Sequence, residues 1–282
     1  MTTIILTANP AGTPAPYVEV VVDDHPVDSA TCTVWRVQNN RLFRVRGLVG
    51  VPTTGVLSQL DVEAPFDRVS TYRVQYFDDE GEFLEWSDDE TITLTGLEPG
   101  WAWVHDPFDP SGSLQVRFEA STARDIFKNS AVDQMMVPGR SVGVVFAGTR
   151  SGVQGVVLDI WLSSDADADR LDAMLGVYDE RRPPILCVRT HPDMRLPGTL
   201  FATTGRTAYR PYGARRGSEH SDWSMVVDEV APPVEAAVTA LLDYADFTAF
   251  YTDNGGDYAA FTAAYVDYTQ AQLDYSIAGY AP

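Results

Sequence analysis

The chain has 282 residues, 45% of them hydrophobic and 21% charged, and its formal net charge at pH 7 is −20. This length predicts two domains rather than one, and the hydrophobic content is high enough to exclude intrinsic disorder as the default state. Nucleic acid and anionic membrane surfaces are disfavoured as partners because they carry the same sign of charge as the chain.

The N-terminal third alternates apolar and polar residues with a period of two. The runs are YVEVVVDD, TCTVWRV, RLFRVRGL, STYRVQYFDD, EFLEWSD and TITLTGL, and turn sequences such as DDEG separate them. Short strands at this spacing are typical of an antiparallel β-sandwich. We therefore predict that residues 1–104 form a sandwich of the immunoglobulin or fibronectin-III type, with Trp35, Tyr72 and Tyr76 in its core.

The middle segment, residues 105–232, mixes strands with one helix. The junction WAWVHDPFDP is followed by predicted strands in SLQVRFEA, SVGVVFAGT, GVQGVVLDIWLS, ILCVRT and DWSMVVDEV. A helix is predicted from Asp165 because apolar residues recur there at helical spacing: Leu171, Met174, Leu175 and Tyr178. Ser164 can cap its start, and the prolines at 183 and 184 would end it. The segment is therefore predicted to be an α+β domain with one packed helix.

Both cysteines fall in predicted strands of different segments. Cys32 and Cys187 are the only two, and we expect buried free thiols rather than a disulfide, as in a protein made for a reducing cytoplasm. The first twelve residues lack the basic region and long apolar run of a signal peptide. No stretch of about 18 apolar residues predicts a membrane helix.

The motifs associated with catalysis and metal binding are incomplete. Gly139 to Gly143 spells G-x-S-x-G, but a predicted strand follows Ser141 where that motif requires a helix. Asp159 and either His191 or His220 follow Ser141 in the chain order of a catalytic triad. These residue types are common, so the order alone is weak evidence. The acids at 165, 167 and 169 open like a calcium loop but lack its later glycine and glutamate, so helix capping explains them better. We predict no metal, no cofactor and no enzymatic activity.

An arginine- and tyrosine-rich stretch, GRTAYRPYGARRGSEH, is the basic cluster of the middle segment. We interpret it either as a solvated loop or as a loop that pairs with an acidic face of a neighbouring copy, since arginine and tyrosine favour such contacts. The candidate subunit-contact residues are Arg206, Tyr209, Arg210, Tyr212, Arg215 and Arg216.

The C-terminal segment, residues 233–282, is acidic and contains a repeat. Tyr244–Asp253 matches Tyr258–Asp267 at seven positions, and the segment has seven acidic and no basic residues. Aromatic residues at heptad spacing predict two short helical pieces, broken at Gly255-Gly256. Short helices must dock to be stable, either on their own chain or as an arm on another. The candidate docking residues are Tyr244, Phe247, Tyr251, Tyr258, Phe261, Tyr265 and Tyr268.

The order of these parts resembles that of minor tail proteins of long-tailed phages of actinobacteria. The resemblance spans nearly the whole chain and rests on EAPFDRVSTYRVQYFDDEGE, WVHDPFDP, VVLDIWLSSDADADRLDAMLGVYDERRPPILCVRT, DWSMVVDEVAPP and the terminal repeat. The middle segment is also similar to the split β-barrel of tail-tube and distal tail proteins, which implies a ring around the tail axis. Distal tail proteins usually begin with that ring domain, whereas here a sandwich precedes it.

The resemblance implies a non-enzymatic structural protein of the tail tip, made in the host cytoplasm and built into the virion. Its expected partners are copies of itself in a three- or sixfold ring, together with tail-tube and tail-tip proteins. One alternative is a cell-wall glycan-binding protein in which Trp86, Trp101 and Trp103 stack on sugars. A hydrolase that uses Ser141 is the third possibility.

Overall fold

The structure is a computed structural model that describes residues 2–39, 41–136, 138, 141–176, 185–211, 220–233 and 250. It is mainly β, as predicted, and the described residues form seventeen strands, one α-helix and one short 3-10 turn at Pro110–Gly112. Within these ranges no helix combines the length and apolar character needed to cross a membrane.

The first nine strands form two antiparallel sheets. They are β1 Thr3–Asn9, β2 Tyr17–Asp23, β3 Thr31–Gln38, β4 Arg41–Arg44, β5 Val51–Pro52, β6 Leu57–Asp61, β7 Val69–Phe77, β8 Phe83–Trp86 and β9 Glu90–Thr93. One sheet has the order β1-β2-β6. In the other, β3 and β7 pair centrally, with β4 and β5 along the outside of β3 and β8 and β9 along the outside of β7.

The two sheets share one apolar core, which makes this region a β-sandwich. Val18 and Val20 of β2 contact the same cluster as Tyr72, Val74 and Tyr76 of β7, and all five are fully buried. Each strand alternates buried and half-buried residues, so the period-two pattern located both strands correctly. The assignment to the immunoglobulin or fibronectin-III type stays a prediction.

Several features of the sandwich differ from the sequence prediction. Strands β1, β5 and β6 were not predicted. Trp35 was expected in the core, but it is only half-buried. Its indole Nε1 donates to Gln75 Oε1 at 2.9 Å, and the guanidinium of Arg44 lies 5.2 Å from its ring centroid. The polar indole nitrogen and the arginine are satisfied on the outer face of the sheet, which explains the difference.

Six strands of the middle segment close into an antiparallel barrel. They are β10 Trp101–His105, β11 Leu114–Phe118, β14 Val156–Leu162, β15 Ile185–Thr190, β16 Thr199–Pro211 and β17 Ser221–Glu229. The order around the barrel is β10-β11-β14-β17-β16-β15, and β15 pairs with β10 to complete the circle. Closure leaves the barrel without a free edge strand. Alternate residues of β14 point inward, and Val156, Leu158 and Ile160 are fully buried.

Strand β10 corrects the prediction for the junction between the domains. The prolines of WAWVHDPFDP suggested an interruption, whereas Trp101–His105 pairs with both β11 and β15. The prolines follow the strand instead of breaking it. The predicted boundary between residues 104 and 105 therefore falls inside a barrel strand.

The single helix, α1 Asp165–Leu175, packs against the barrel core through Ala168, Leu171 and Met174. The Oγ of Ser164 accepts a hydrogen bond from the backbone N–H of Asp167 at 3.1 Å, which is the predicted N-cap. The helix ends before the prolines, at Gly176, whose φ of 96° suits glycine. Tyr178 and the two prolines lie outside the described residues.

Between β11 and β14 the chain forms a separate hairpin of β12 Ser130–Met135 and β13 Val144–Arg150. These strands pair with each other and with no other strand of the described chain. The C-terminal repeats lie outside the described residues, apart from Phe250, which is helical.

Candidate interaction surfaces

Three of the predicted subunit-contact residues lie on a strand, not on a loop. Arg206, Tyr209 and Arg210 belong to the second half of β16 and pair with β17. The first four residues of β16 are buried, and the other nine are exposed or half-buried. The strand was not predicted, because its buried residues are consecutive and its second half extends past the apolar core without apolar alternation. Tyr212, Arg215 and Arg216 lie outside the described residues.

The exposed half of β16 carries aromatic and charged side chains on neighbouring strands. The ring of Tyr209 lies 4.7 Å from that of Trp223, centroid to centroid, and Tyr209 remains 47% exposed. Arg210 stands opposite Asp222 in the β16–β17 register. The other predicted docking residues, Tyr244, Phe247, Tyr251, Tyr258, Phe261, Tyr265 and Tyr268, are not among the described residues, so their role stays a prediction.

A polar cleft of about 400 Å³ opens on the outside of the barrel beside this strand pair. Asp159 lies in it and accepts a hydrogen bond from the Oγ of Ser224 at 2.6 Å. Glu119, Arg210 and Asp222 also line it. Carboxylates and hydroxyls in an open cleft can hold water, a cationic side chain or a polar ligand. Trp223 is 4% exposed and so offers no free ring face for a sugar to stack on.

Of the three tryptophans considered for sugar stacking, only Trp86 is substantially exposed, at 40%. Trp101 and Trp103 are half-buried and pack against the sandwich core, between the sandwich and the barrel. Trp86 lies on the outer strand β8 together with Phe83, their ring centroids 6.1 Å apart. Arg73 lies over the indole at 5.6 Å. The aromatic surface is therefore confined to one strand of the sandwich.

The β12–β13 hairpin exposes apolar side chains on both of its faces. Side chains alternate along a strand, so Val132 and Val145 lie on one face and Met135 and Phe146 on the other. Each of these four side chains is between 57% and 59% exposed. Val142, in the connection between the strands, is 73% exposed. A two-stranded hairpin is marginally stable alone, and large exposed apolar patches mark interaction sites.

The junction between sandwich and barrel is built around buried charges. Arg36 forms an ion pair with Asp61, whose side chains are 1% and 3% exposed, and Tyr72 donates its hydroxyl to Asp61 Oδ2 at 2.8 Å. Arg46 pairs with Glu63, and both side chains are 6% exposed. Burial raises the pKa of Glu63, against the opposing field of Arg46. The sequence pattern did not reveal this cluster because its members are scattered along separate strands.

Two barrel residues complete the junction. Arg189 is fully buried and donates through one guanidinium nitrogen to the carbonyl of Pro16 at 2.7 Å and to that of Ala64 at 3.3 Å. Burial lowers the pKa of Arg189 to about 10. His105 is also fully buried, and neither of its ring nitrogens has a hydrogen-bond partner among the described residues. Burial, helped by the positive charge of Arg189, lowers the pKa of His105 well below its usual value.

Apolar contacts and further hydrogen bonds join the two domains around these charges. Phe43 of the sandwich packs with Cys187 and Phe201 of the barrel. The Oγ1 of Thr199 donates to the carbonyl of Glu63 at 2.8 Å. Both cysteines are buried free thiols, as predicted. The junction therefore connects the two domains through both apolar and polar buried contacts.

No contact between the residues proposed for a hydrolase is seen in the described part of the chain, and three of them contact other residues. Ser141 lies between two hairpin strands, Asp159 binds Ser224, His191 binds Asp193 at 2.7 Å, and the ring of His220 stacks on Trp161. Within the described part of the chain, no three histidine, cysteine or acidic side chains are grouped so that they could hold a metal ion.

Comparisons with known proteins identify no relative: no family model, no curated protein and no solved structure matches this chain. The fold and these surfaces are therefore the basis for any functional proposal.

Proposed function

We propose that this protein is a structural component of a phage tail tip that assembles with copies of itself into a ring around the tail axis. In this proposal the sandwich is of the immunoglobulin or fibronectin-III type, the barrel forms the ring, and residues 233–282 form an arm that docks on tail-tube or tail-tip proteins. The mature protein resides in the virion tail.

The observation that carries the proposal is the hairpin with apolar side chains on both faces. The barrel is closed where β15 pairs with β16, and beyond residue 203 the second half of β16 pairs only with β17 among the described strands. The hairpin leaves apolar surface that no other described residue covers, and surface of this kind marks an interaction site. An assembly built from one kind of chain requires such a surface on each copy. We propose a phage tail as the place of this assembly because the order of the segments resembles that of minor tail proteins.

The first experiment is the mass of the full-length chain in solution, by light scattering, beside a chain that ends at Pro233. A closed three- or sixfold species that survives the truncation supports a ring formed by the first 233 residues, with the arm left for other partners. A monomer in both cases contradicts self-assembly in the absence of other tail proteins.

The alternative, a glycan-binding protein, is favoured only by the exposed Phe83 and Trp86 on β8. Binding of the full-length chain to purified cell-wall polysaccharide, measured by co-sedimentation, tests it. Loss of binding in Trp86→Ala but not in Tyr209→Ala, which changes an exposed aromatic residue outside β8, would support this alternative. No binding by the natural chain would reject it.

A further inference from the structure

The sequence of the hairpin has a net positive charge within a strongly acidic chain. Residues 128–150 contain three basic residues and one acidic residue, whereas the whole chain has a net charge of −20. Two copies of this protein repel each other at long range. A contact between copies is therefore favoured where the local charge is reversed, and the hairpin is such a place.

The outer edge of the sandwich has the complementary properties. Residues 78–90, which include β8, contain eight acidic residues and no basic residue. Three large apolar side chains stand among these acids: Phe83, Leu84 and Trp86 are 49%, 36% and 40% exposed. All four residues of β8 are exposed, whereas β7, which pairs with it, is largely buried.

Backbone geometry also suits a contact between these two surfaces. Among the described strands, β8 pairs only with β7, on one side, so its other side is an open edge of this sheet. Each strand of the hairpin likewise pairs on one side only. Unpaired edges are the surfaces to which another strand can add. Matching apolar side chains and opposite charge would then fix which edges meet.

From these features we infer that the β12–β13 hairpin of one copy docks on the acidic aromatic edge, residues 78–90, of the next copy. The inference rests on the proposed self-assembly and names its contact surfaces. Two different surfaces meet, so the contact is head-to-tail, and repetition produces a ring if the rotation closes. A second copy is the occupant because the same chain supplies both complementary surfaces.

The test uses two full-length variants and their mixture, with mass measured by light scattering. Phe146→Asp places an acid on the hairpin, against the acidic edge. Phe83→Ser combined with Trp86→Ser removes the aromatic rings from β8. Each variant alone is expected to be a monomer of 31.0 kDa. Mixed in equal amounts, they are expected to form a pair with twice that mass, because each supplies the surface that the other lacks.

A matched control is Val27→Asp, since Val27 is 99% exposed and lies outside both surfaces. This variant is expected to assemble like the natural chain. Near-ultraviolet circular dichroism of every variant checks that its core is intact.

The remaining outcomes contradict the inference in distinguishable ways. If the natural chain assembles and neither variant changes its mass, the docking surfaces are wrong while self-assembly stands. If Phe146→Asp is monomeric but the mixture forms no pair, the hairpin contacts a surface other than β8. A natural chain that is monomeric at every concentration overturns both the inference and the ring.

Discussion

At the scale of single residues, the junction between sandwich and barrel combines paired and unpaired buried groups. The Arg36–Asp61 pair is satisfied in part by the Tyr72 hydroxyl, whereas the imidazole of His105 has no hydrogen-bond partner among the described residues. A buried charge without its partner is costly, and a buried neutral imidazole without a hydrogen-bond partner costs less than a charge would. The two kinds of group therefore predict different effects on stability.

Replacing Asp61 by Asn should lower the free energy of unfolding by about 3–5 kcal/mol, because it leaves Arg36 buried and uncompensated. Urea unfolding followed by circular dichroism measures the change. The matched control is Asp89→Asn, which breaks the Arg73–Asp89 pair, whose side chains are 31% and 49% exposed. That change should cost less than about 1 kcal/mol. Equal effects of the two substitutions would contradict the role of burial.

His105 should make the protein less stable as the pH falls below about 6.5. Its folded-state pKa is depressed, so below the unfolded pKa the unfolded chain binds a proton that the folded chain does not. The contribution of His105 to the free energy of unfolding is fully present when the pH is above the pKa of His105 in the unfolded chain. It is lost as the pH falls below that pKa, by up to about 1.4 kcal/mol per pH unit. Glu63, with its raised pKa, acts in the opposite direction, since its contribution is lost as pH rises.

The comparison that isolates this effect is urea unfolding of the natural chain and His105→Leu between pH 5 and 8. The free energy of unfolding of the variant should depend less steeply on pH, because the imidazole is absent. The difference in stability between the two proteins should therefore change with pH below 6.5. A constant difference across the range would show that His105 does not titrate differently in the two states.

At the scale of elements, sequence pattern located those strands whose alternate residues enter a core. β2, β3 and β7 were predicted from alternation and carry it in the structure. Strand β16 was missed as a whole, because its four buried residues do not alternate with polar ones and its second half leaves the core and is mostly polar. Strand β12 was missed because its sequence, SAVDQM, has no regular apolar alternation. Strand β8 is exposed throughout and was still predicted, so apolar content in the sequence matters more than burial.

The helix was predicted at its start but not at its end. Its apolar spacing and the Ser164 cap are local features, whereas its end depends on Gly176, several residues before the prolines. The buried charges of the junction were not predicted at all. Only the tertiary fold brings Asp61, Arg36 and Arg189 together. From sequence alone each would be expected at the surface, because charged residues are rarely buried.

Removing the cap of α1 tests the local argument. Ser164→Ala should lower the free energy of unfolding by about 1 kcal/mol, because the N–H of Asp167 loses its acceptor. Ser164→Asn should restore most of that loss, since asparagine is an equally good N-cap. Thermal unfolding of both variants measures the difference. If both substitutions have the same effect, the capping hydrogen bond is not what stabilises the helix start.

At the scale of the whole molecule, the two cysteines provide separate probes of the two domains. Cys32 lies in the sandwich core and Cys187 in the apolar cluster between the domains. Burial raises the pKa of Cys32 to about 11 and that of Cys187 still further. Since the thiolate is the reactive form, both should resist thiol reagents in the native protein.

Phe43→Ala should expose Cys187 selectively, because Phe43 packs on it across the junction. Loss of this packing should raise the rate of Cys187 labelling at least about tenfold, since 1.4 kcal/mol of lost stabilisation is enough for that change and Phe-to-Ala changes cost more. Mass spectrometry of peptides from the single-cysteine variants Cys32→Ala and Cys187→Ala separates the two sites. Equal acceleration at Cys32 would indicate global unfolding instead of opening at the junction.

The closing pair of the barrel also sets the order in which the chain can fold during synthesis. β10 cannot find β15 until most of the middle segment has left the ribosome, whereas all strands of the sandwich precede β10. The sandwich should therefore fold before the barrel is complete. Arg46 and Glu63 contact Pro107 and Thr199 in the complete chain, so water should solvate them before those residues are in place. We expect these charges to reduce aggregation of the partly synthesised chain, because they keep that face of the sandwich polar while the barrel is still absent.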